Sequence, residues 1–75
     1  MTFYAIANED CIDCFYDFEL NTFGDGICKN NLIPTRKLAE YLMLQADIWD
    51  GKVIEVEISI DEKGILFTYE NIWSK

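Results

Sequence analysis

The chain contains no histidine, a single proline, two serines and only six basic residues in its 75 positions. Without histidine it lacks the most frequent general base and metal ligand. Ser59 and Ser74 have no recognisable base nearby, and none of the many carboxylates sits in a setting that would bury it and raise its pKa. Catalysis by a serine nucleophile or a carboxylate dyad is therefore not expected. Six basic residues against fourteen acidic ones give a net charge of −8, and only Arg36 and Lys37 are adjacent. Affinity for nucleic acid depends on Lys and Arg neutralising phosphates, so direct nucleic-acid binding is not expected. No apolar run approaches the ~18 residues of a membrane span. The amino terminus has no basic stretch and reaches Glu9 and Asp10 too early for a signal peptide. Three cysteines, an odd number, argue against a secreted disulfide framework. The expected location is a reducing cytoplasm, that of the host if a phage encodes the chain.

Residues 1–75 are expected to form one domain, since domains run upward from ~50 residues. A chain this short buries only about 60% of its unfolded surface, so its core is thin. It leaves little room for a ligand pocket of the usual ~300 Å3 or more. Half the residues are apolar (51%) and 15% are aromatic, enough to fold without a metal or a disulfide, and no cofactor is expected.

The clearest local signal is residues 51–61. From Ile54 the sequence alternates, with Ile54, Val56, Ile58 and Ile60 on one side and Glu55, Glu57 and Ser59 on the other. That is a β-strand with an apolar face and an acidic face. Residues 61–64 form a turn ending in glycine, and residues 65–70 return as the partner strand. Pairing Ile60 with Ile65, Ile58 with Phe67 and Val56 with Tyr69 keeps all six apolar residues on one side, whereas a shifted register brings Thr68 and Glu70 inward. Residues 2–7 are aromatic and β-branched and read as a strand. Residues 14–20 alternate with Cys14, Tyr16, Phe18 and Leu20 opposite Asp17 and Glu19, which favours a second strand over a short helix. Residues 21–31, rich in glycine and asparagine, read as a long loop anchored by Phe23 and Ile27. Thr35 after Pro34 suits the cap of a helix through Asp47. Leu38, Tyr41, Leu42, Ala46 and Trp49 would form its apolar stripe, widened by Leu44 and Ile48, with Arg36, Lys37, Glu40, Met43 and Asp47 outside. Asp50-Gly51 would end it. Ile72 and Trp73 would pack beneath it. The expected fold is α+β: a four-stranded, mostly antiparallel sheet (ββαββ) with one helix on its apolar face.

Cys11-Ile12-Asp13-Cys14 after the first strand resembles the opening of glutaredoxin-like thiol oxidoreductases. That resemblance implies Cys11 as attacking thiolate at a helix amino terminus and Cys14 as resolving thiol. The match covers about fifteen residues. Beyond it no good helix follows Cys14, Asp10 and Asp13 disfavour thiolates, and Pro34 opens a helix rather than the strand that the family places opposite the cysteines. The same cysteines with Cys28 and one of Asp10, Asp13 or Asp25 make an alternative zinc set. The plainer reading has Cys14 buried as a small side chain and Cys11 and Cys28 in loops, with no metal.

The acidic face carries the functional expectation. Glu57 falls opposite Thr68 and Glu55 opposite Glu70, a like-charge pair that costs a few tenths of a kcal/mol. Asp17 and Glu19 would join this surface. Carboxylates on alternate strand residues recur every ~6.6 Å, a spacing that roughly imitates every second phosphate of a DNA strand. The plainer reading is a solvated sheet face that discourages edge aggregation. In size, acidity, lack of catalytic residues and α+β layout the chain resembles small inhibitors that phages and mobile elements direct against host defence, of the anti-CRISPR and anti-restriction type. The resemblance implies a non-catalytic binder of a basic protein surface, with Asp17, Glu19, Glu55, Glu57 and Glu70 as contacts. An antitoxin or immunity protein neutralising a basic toxin would use the same logic.

Overall fold

The computed structural model describes residues 1–73. Among these, five strands form one antiparallel sheet: β1 (Thr2–Asn8), β2 (Cys14–Asp17), β3 (Thr22–Asp25), β4 (Gly51–Asp61) and β5 (Gly64–Tyr69). Their order across the sheet is β3-β2-β1-β4-β5. One α-helix, α1 (Arg36–Gln45), and a 3-10 turn (Lys29–Asn31) lie between β3 and β4. The class is α+β with one helix, as the sequence indicates, but the sheet has five strands rather than four.

The additional strand comes from a turn inside the stretch read as one strand followed by a loop. β2 stops at Asp17, whose carboxylate accepts hydrogen bonds from the N–H groups of Glu19 and Leu20 at 2.8 and 3.0 Å. The Asn21 N–H reaches the Asp17 carbonyl at 2.8 Å, and Asn21 takes left-handed backbone with φ 56°, a conformation asparagine tolerates better than most residues. The chain reverses there, and β3 pairs with β2, with Tyr16 opposite Phe23. Beyond β3, Asn31 is buried, accepting from the Cys28 N–H at 2.6 Å and donating to the Tyr16 carbonyl at 2.8 Å, which pins the 3-10 turn to β2. β2 reaches β1 only near Ala7 and Phe15. Lower on the same edge of β1, Ile33 exchanges both backbone hydrogen bonds with Tyr4, at 2.7 and 2.8 Å. This bridge satisfies backbone groups that burial would otherwise strand, and it sets where the helix begins. Thr35 caps α1, its hydroxyl accepting from the Leu38 N–H at 3.1 Å.

β4 and β5 pair in the expected register, Ile60 with Ile65, Ile58 with Phe67 and Val56 with Tyr69. The apolar face of β4 is not where the helix lies. Ile54, Val56 and Ile58 are buried with Ala5, Ala7 and Phe15, against Phe67, Tyr69, Ile72 and Trp73. Phe15 and Tyr69 stand edge to face with centroids 4.9 Å apart. Their strands are separated by β1 and β4, about 14 Å in a flat sheet. The sheet must therefore curl until its two halves meet over these aromatic rings. Trp73 joins from the tail, 5.9 Å from Phe15, and its indole N–H donates to the Asn8 carbonyl at 2.6 Å. Ile72 and Trp73 thus pack on the face opposite the helix, not beneath it.

α1 covers the other face, where Ile6, Tyr16, Ile33, Ala39 and Ile48 are buried beside Leu42, Met43 and Val53. Val53 is opposite Ile6 and Glu55 opposite Tyr4, so the helix shares the side of β4 that bears the glutamates. The reason lies in β1, where Ala5, Ile6 and Ala7 are all completely buried. A central strand apolar on both sides requires cover on both. The inward stripe of α1 is Ala39, Leu42 and Met43, followed by Ile48, one residue out of phase with the stripe read from the sequence. Leu38, Tyr41, Leu44 and Trp49 remain exposed, Trp49 at 85%. The helix ends earlier than expected. Asp47 takes left-handed backbone with φ 55°, the Ile48 N–H bonds to the Met43 carbonyl and the Asp47 N–H to the Leu44 carbonyl. This pair of bonds, six-to-one and five-to-two, is a Schellman stop without glycine. Gly51 instead serves a close approach: a Cβ there would lie 2.6 Å from Ile6 Cγ2 and 2.8 Å from Ile48 Cγ2.

Candidate functional site

The antiparallel sheet, with its helical crossover from β3 to β4, gathers carboxylates from separate connections at one end. β1 finishes there, β2 begins, β3 finishes and β4 begins. The segments at this end carry Glu9, Asp10, Asp13, Asp25 and Asp50, all exposed except the half-buried Asp50. Local hydrogen bonds hold them. The Asp10 N–H donates to Asn8 Oδ1 at 2.8 Å, the Glu9 N–H to the Asp50 carbonyl at 3.0 Å, and the Gly26 N–H to the Asp13 carbonyl at 2.8 Å. Across the curl, the Tyr69 hydroxyl donates to Asp13 Oδ1 at 2.9 Å. Burial first, and then this bond to a carboxylate, raise the Tyr69 pKa above its ordinary value. Lys52, opposite Ala7, is the one basic residue in the five strands.

The five residues expected to form an acidic contact surface do not behave alike. Asp17 is buried, 9% exposed, and its carboxylate is committed to the β2–β3 turn. Glu19 is exposed beyond β2 and accepts from Asn30 Nδ2 at 2.8 Å. Glu55 and Glu57 project from the helix side of β4, both exposed. Glu57 accepts from the Thr2 hydroxyl at 2.8 Å and from the amino-terminal ammonium of Met1 at 3.0 Å. These two partners, in that order, hold its carboxyl below the usual range. Glu70 is exposed one residue past the end of β5, and the ladder stops at Val56 and Tyr69, one pair short of Glu55 and Glu70. Glu55, Glu57 and Glu70 therefore flank the hairpin, Glu19 lies apart, and Asp17 is a structural residue. The sequence offers Asp10, Asp13 and Asp25 only as alternative zinc ligands, and the grouping of Glu9, Asp10, Asp13, Asp25 and Asp50 at one end was missed because it depends on strand order. The available signal was their position in turns. When successive strands alternate in direction every second connection lies at the same end, but that rule needs β3 in place.

The cysteine motif sits in this acidic end. Cys11 and Cys14 form a disulfide, Cys14 buried and Cys11 exposed, while Cys28 is free and exposed. Cys14 opens β2, so the thiol-oxidoreductase arrangement, with Cys11 at a helix amino terminus, is not formed. Cys14 Sγ lies 3.4 Å from Asp25 Oδ1, and the sulfurs of Cys11 and Cys14 and a carboxylate oxygen of Asp25 are all within 4.8 Å of one another. Cys28 is outside that group.

No described helix is long and apolar enough to cross a membrane. Ser74 lies outside the described residues. Compared with protein-family models, curated proteins and solved structures, the chain matches none of them.

Proposed function

We propose that this protein is a non-catalytic acidic inhibitor that docks on a basic, nucleic-acid-binding surface of a host defence nuclease complex, in the manner of anti-CRISPR and anti-restriction proteins. The observation that carries the reading is the convergence of Glu9, Asp10, Asp13, Asp25 and Asp50 on one end of the sheet, with Lys52 the only basic residue in the strands. Like charges at a surface repel one another and cost stability, so a concentrated acidic end is better explained by attraction than by packing. A basic groove built to track phosphates meets such a surface with complementary potential, which steers encounter and fixes orientation. Glu55 and Glu70 extend the acidic surface along the sheet, whereas Glu19, in the β2–β3 turn at the opposite end, lies outside it. Asp17 makes no contact in this reading, and Glu57 contributes less because its charge is already met by the amino-terminal ammonium.

The test is charge reversal in two groups, Asp10, Asp13 and Asp25 to Lys in one variant and Glu55 and Glu70 to Lys in another. Each is assayed for blocking nucleic-acid loading by purified CRISPR effector and restriction complexes. All five residues are exposed, so both variants should keep the fold. The first should lose inhibition and the second should weaken it. Block by the wild type should fade as salt rises and the Debye length falls toward ~3 Å at 1 M. Undiminished inhibition by the first variant, or binding of the wild type that is indifferent to salt, would end this reading.

A further inference from the structure

Independently of that reading, we propose that Cys11, Cys14 and Asp25 form a thiol-gated site for a soft divalent cation of the zinc type, closed while the disulfide stands and opened by its reduction. Three observations converge on it. The two sulfurs and the carboxylate oxygen lie within 4.8 Å of one another. The Cys14 Sγ to Asp25 Oδ1 distance is 3.4 Å, against about 3.6 Å for sulfur and oxygen bound at ~2.3 and ~2.1 Å on a tetrahedral zinc. The scaffold beneath is fixed from both sides. The Cys14 N–H closes the turn on the Cys11 carbonyl at 3.3 Å, and the Gly26 N–H ties the Asp13 carbonyl to the end of β3 at 2.8 Å. Asp25 pairs with Cys14 across the β2–β3 ladder. The sulfurs therefore separate on reduction against a carboxylate that stays in register. Two thiolates on one tetrahedral zinc stand about 3.8 Å apart, a separation that cysteines with Cα atoms 5.5 Å apart can span by rotating their side chains.

The chemistry balances with one co-reactant, a dithiol. A dithiol reductant passes two electrons and two protons to the Cys11–Cys14 disulfide, giving two thiols, and becomes a disulfide itself. The cation then displaces both thiol protons to solvent and takes two thiolates and the Asp25 carboxylate, leaving a fourth position for water. Thiolate ligands select zinc-like ions over magnesium or calcium. Asp10 and Asp13 flank the two cysteines in sequence, and their negative charge favours a doubly charged cation there over a pair of bare thiolates. The cysteines and Asp25 sit within the acidic end, so the cation would also lower its charge.

Cobalt(II) titration of the full chain, reduced with a phosphine, tests the proposal. One equivalent should bind with thiolate-to-cobalt charge-transfer absorption, zinc should displace it, and the disulfide form should show no such band. Asp25→Asn should weaken cobalt binding by at least the about tenfold that loss of even an outer-shell partner costs. Cys28→Ser should leave it unchanged. A second readout needs no substitution: zinc should protect Cys11 and Cys14, but not Cys28, from alkylation of the reduced protein. Absence of the charge-transfer band, unaltered affinity in Asp25→Asn, loss of binding in Cys28→Ser, or equal alkylation of all three thiols with and without zinc would each overturn it.

Discussion

The two faces of the sheet are closed by different means. One is closed by the sheet itself, whose curl brings Phe15, Tyr69 and Trp73 into edge-to-face contact over Ala5, Ala7, Ile54, Val56 and Ile58. The other is closed by a separate element, α1, through Ala39, Leu42, Met43 and Ile48 on Ile6, Tyr16 and Val53. The first face joins β1, β2, β4 and β5 and the tail, so its contacts span most of the sequence. The second joins α1 to β1, β2, β3 and the start of β4 and takes nothing from β5 or the tail. The difference teaches that the apolar run of β4, the strongest hydrophobic signal in the chain, marks where the sheet folds onto itself rather than where the helix lies.

The largest effect should follow from breaking the self-closed face. Phe15 is completely buried and contacts both Tyr69 and Trp73. Phe15→Ala removes the ring that joins the two halves of the curl, at a cost of ~3–5 kcal/mol. A 75-residue domain has roughly 4–11 kcal/mol of stability at ordinary values per residue. Urea unfolding should show a steep fall in midpoint, with the near-UV circular dichroism of the aromatic cluster and the far-UV signal of the helix lost together. Retention of the helix signal after loss of the aromatic one would show that the two faces fold separately.

Gly51→Ala probes the helix-covered face with a smaller insult. The added methyl meets Ile6 Cγ2 at 2.6 Å and Ile48 Cγ2 at 2.8 Å. Overpacking of that kind costs ~1–3 kcal/mol. Its effect should be confined: faster amide hydrogen exchange in α1 and around Ile48, with the near-UV signal of Phe15, Tyr69 and Trp73 retained. An unchanged exchange pattern would mean that the segment after the helix is free to shift away from β1.

How much of this was legible differs between the faces for physical reasons. The β4–β5 register was readable because one side of each strand is apolar and the other polar, so a slip by one residue misplaces every side chain. The helix and its Thr35 cap were readable as well. Its phase was not, because residues 38, 41, 42, 43, 44 and 46 are all apolar and support more than one stripe. Small Ala39 against the sheet and the Asp47 turn that sends Ile48 inward decide the matter, and neither acts through periodicity. β3 was hidden because its stability derives from pairing with β2 and from the Asp17 turn, whereas its own sequence carries Gly24 and polar neighbours. The acidic end inherited that gap. Glu55 was placed on the correct strand and on the side away from Ile54 and Val56, but that side is the one the helix covers and not the open one, and the convergence of Asp13, Asp25 and Asp50 required a strand order that alternation does not encode.

The smallest effects should separate the faces by pH. Glu57 lies on the helix side of β4, and its carboxyl is held below 4.5 by the Thr2 hydroxyl and the amino-terminal ammonium. A lowered folded-state pKa means that the carboxylate adds stability above about pH 4.5, lost as the pH falls through the folded value. Tyr69 lies on the self-closed face, and its pKa is raised above 10.0 by burial and by the bond to Asp13. A raised value for a group that is neutral when protonated means the opposite: the contribution is complete below about pH 10.0 and is lost as the pH climbs through the folded value. Glu57→Gln should therefore flatten the acid limb of a stability–pH profile and leave the alkaline limb alone. Tyr69→Phe should flatten the alkaline limb and spare the acid one. Because Glu57 is exposed, its signature should also shrink in high salt, whereas that of Tyr69, which rests first on burial, should persist. If both variants altered the same limb, the two faces would be titrating as one unit and the contrast between them would fail at the level of electrostatics.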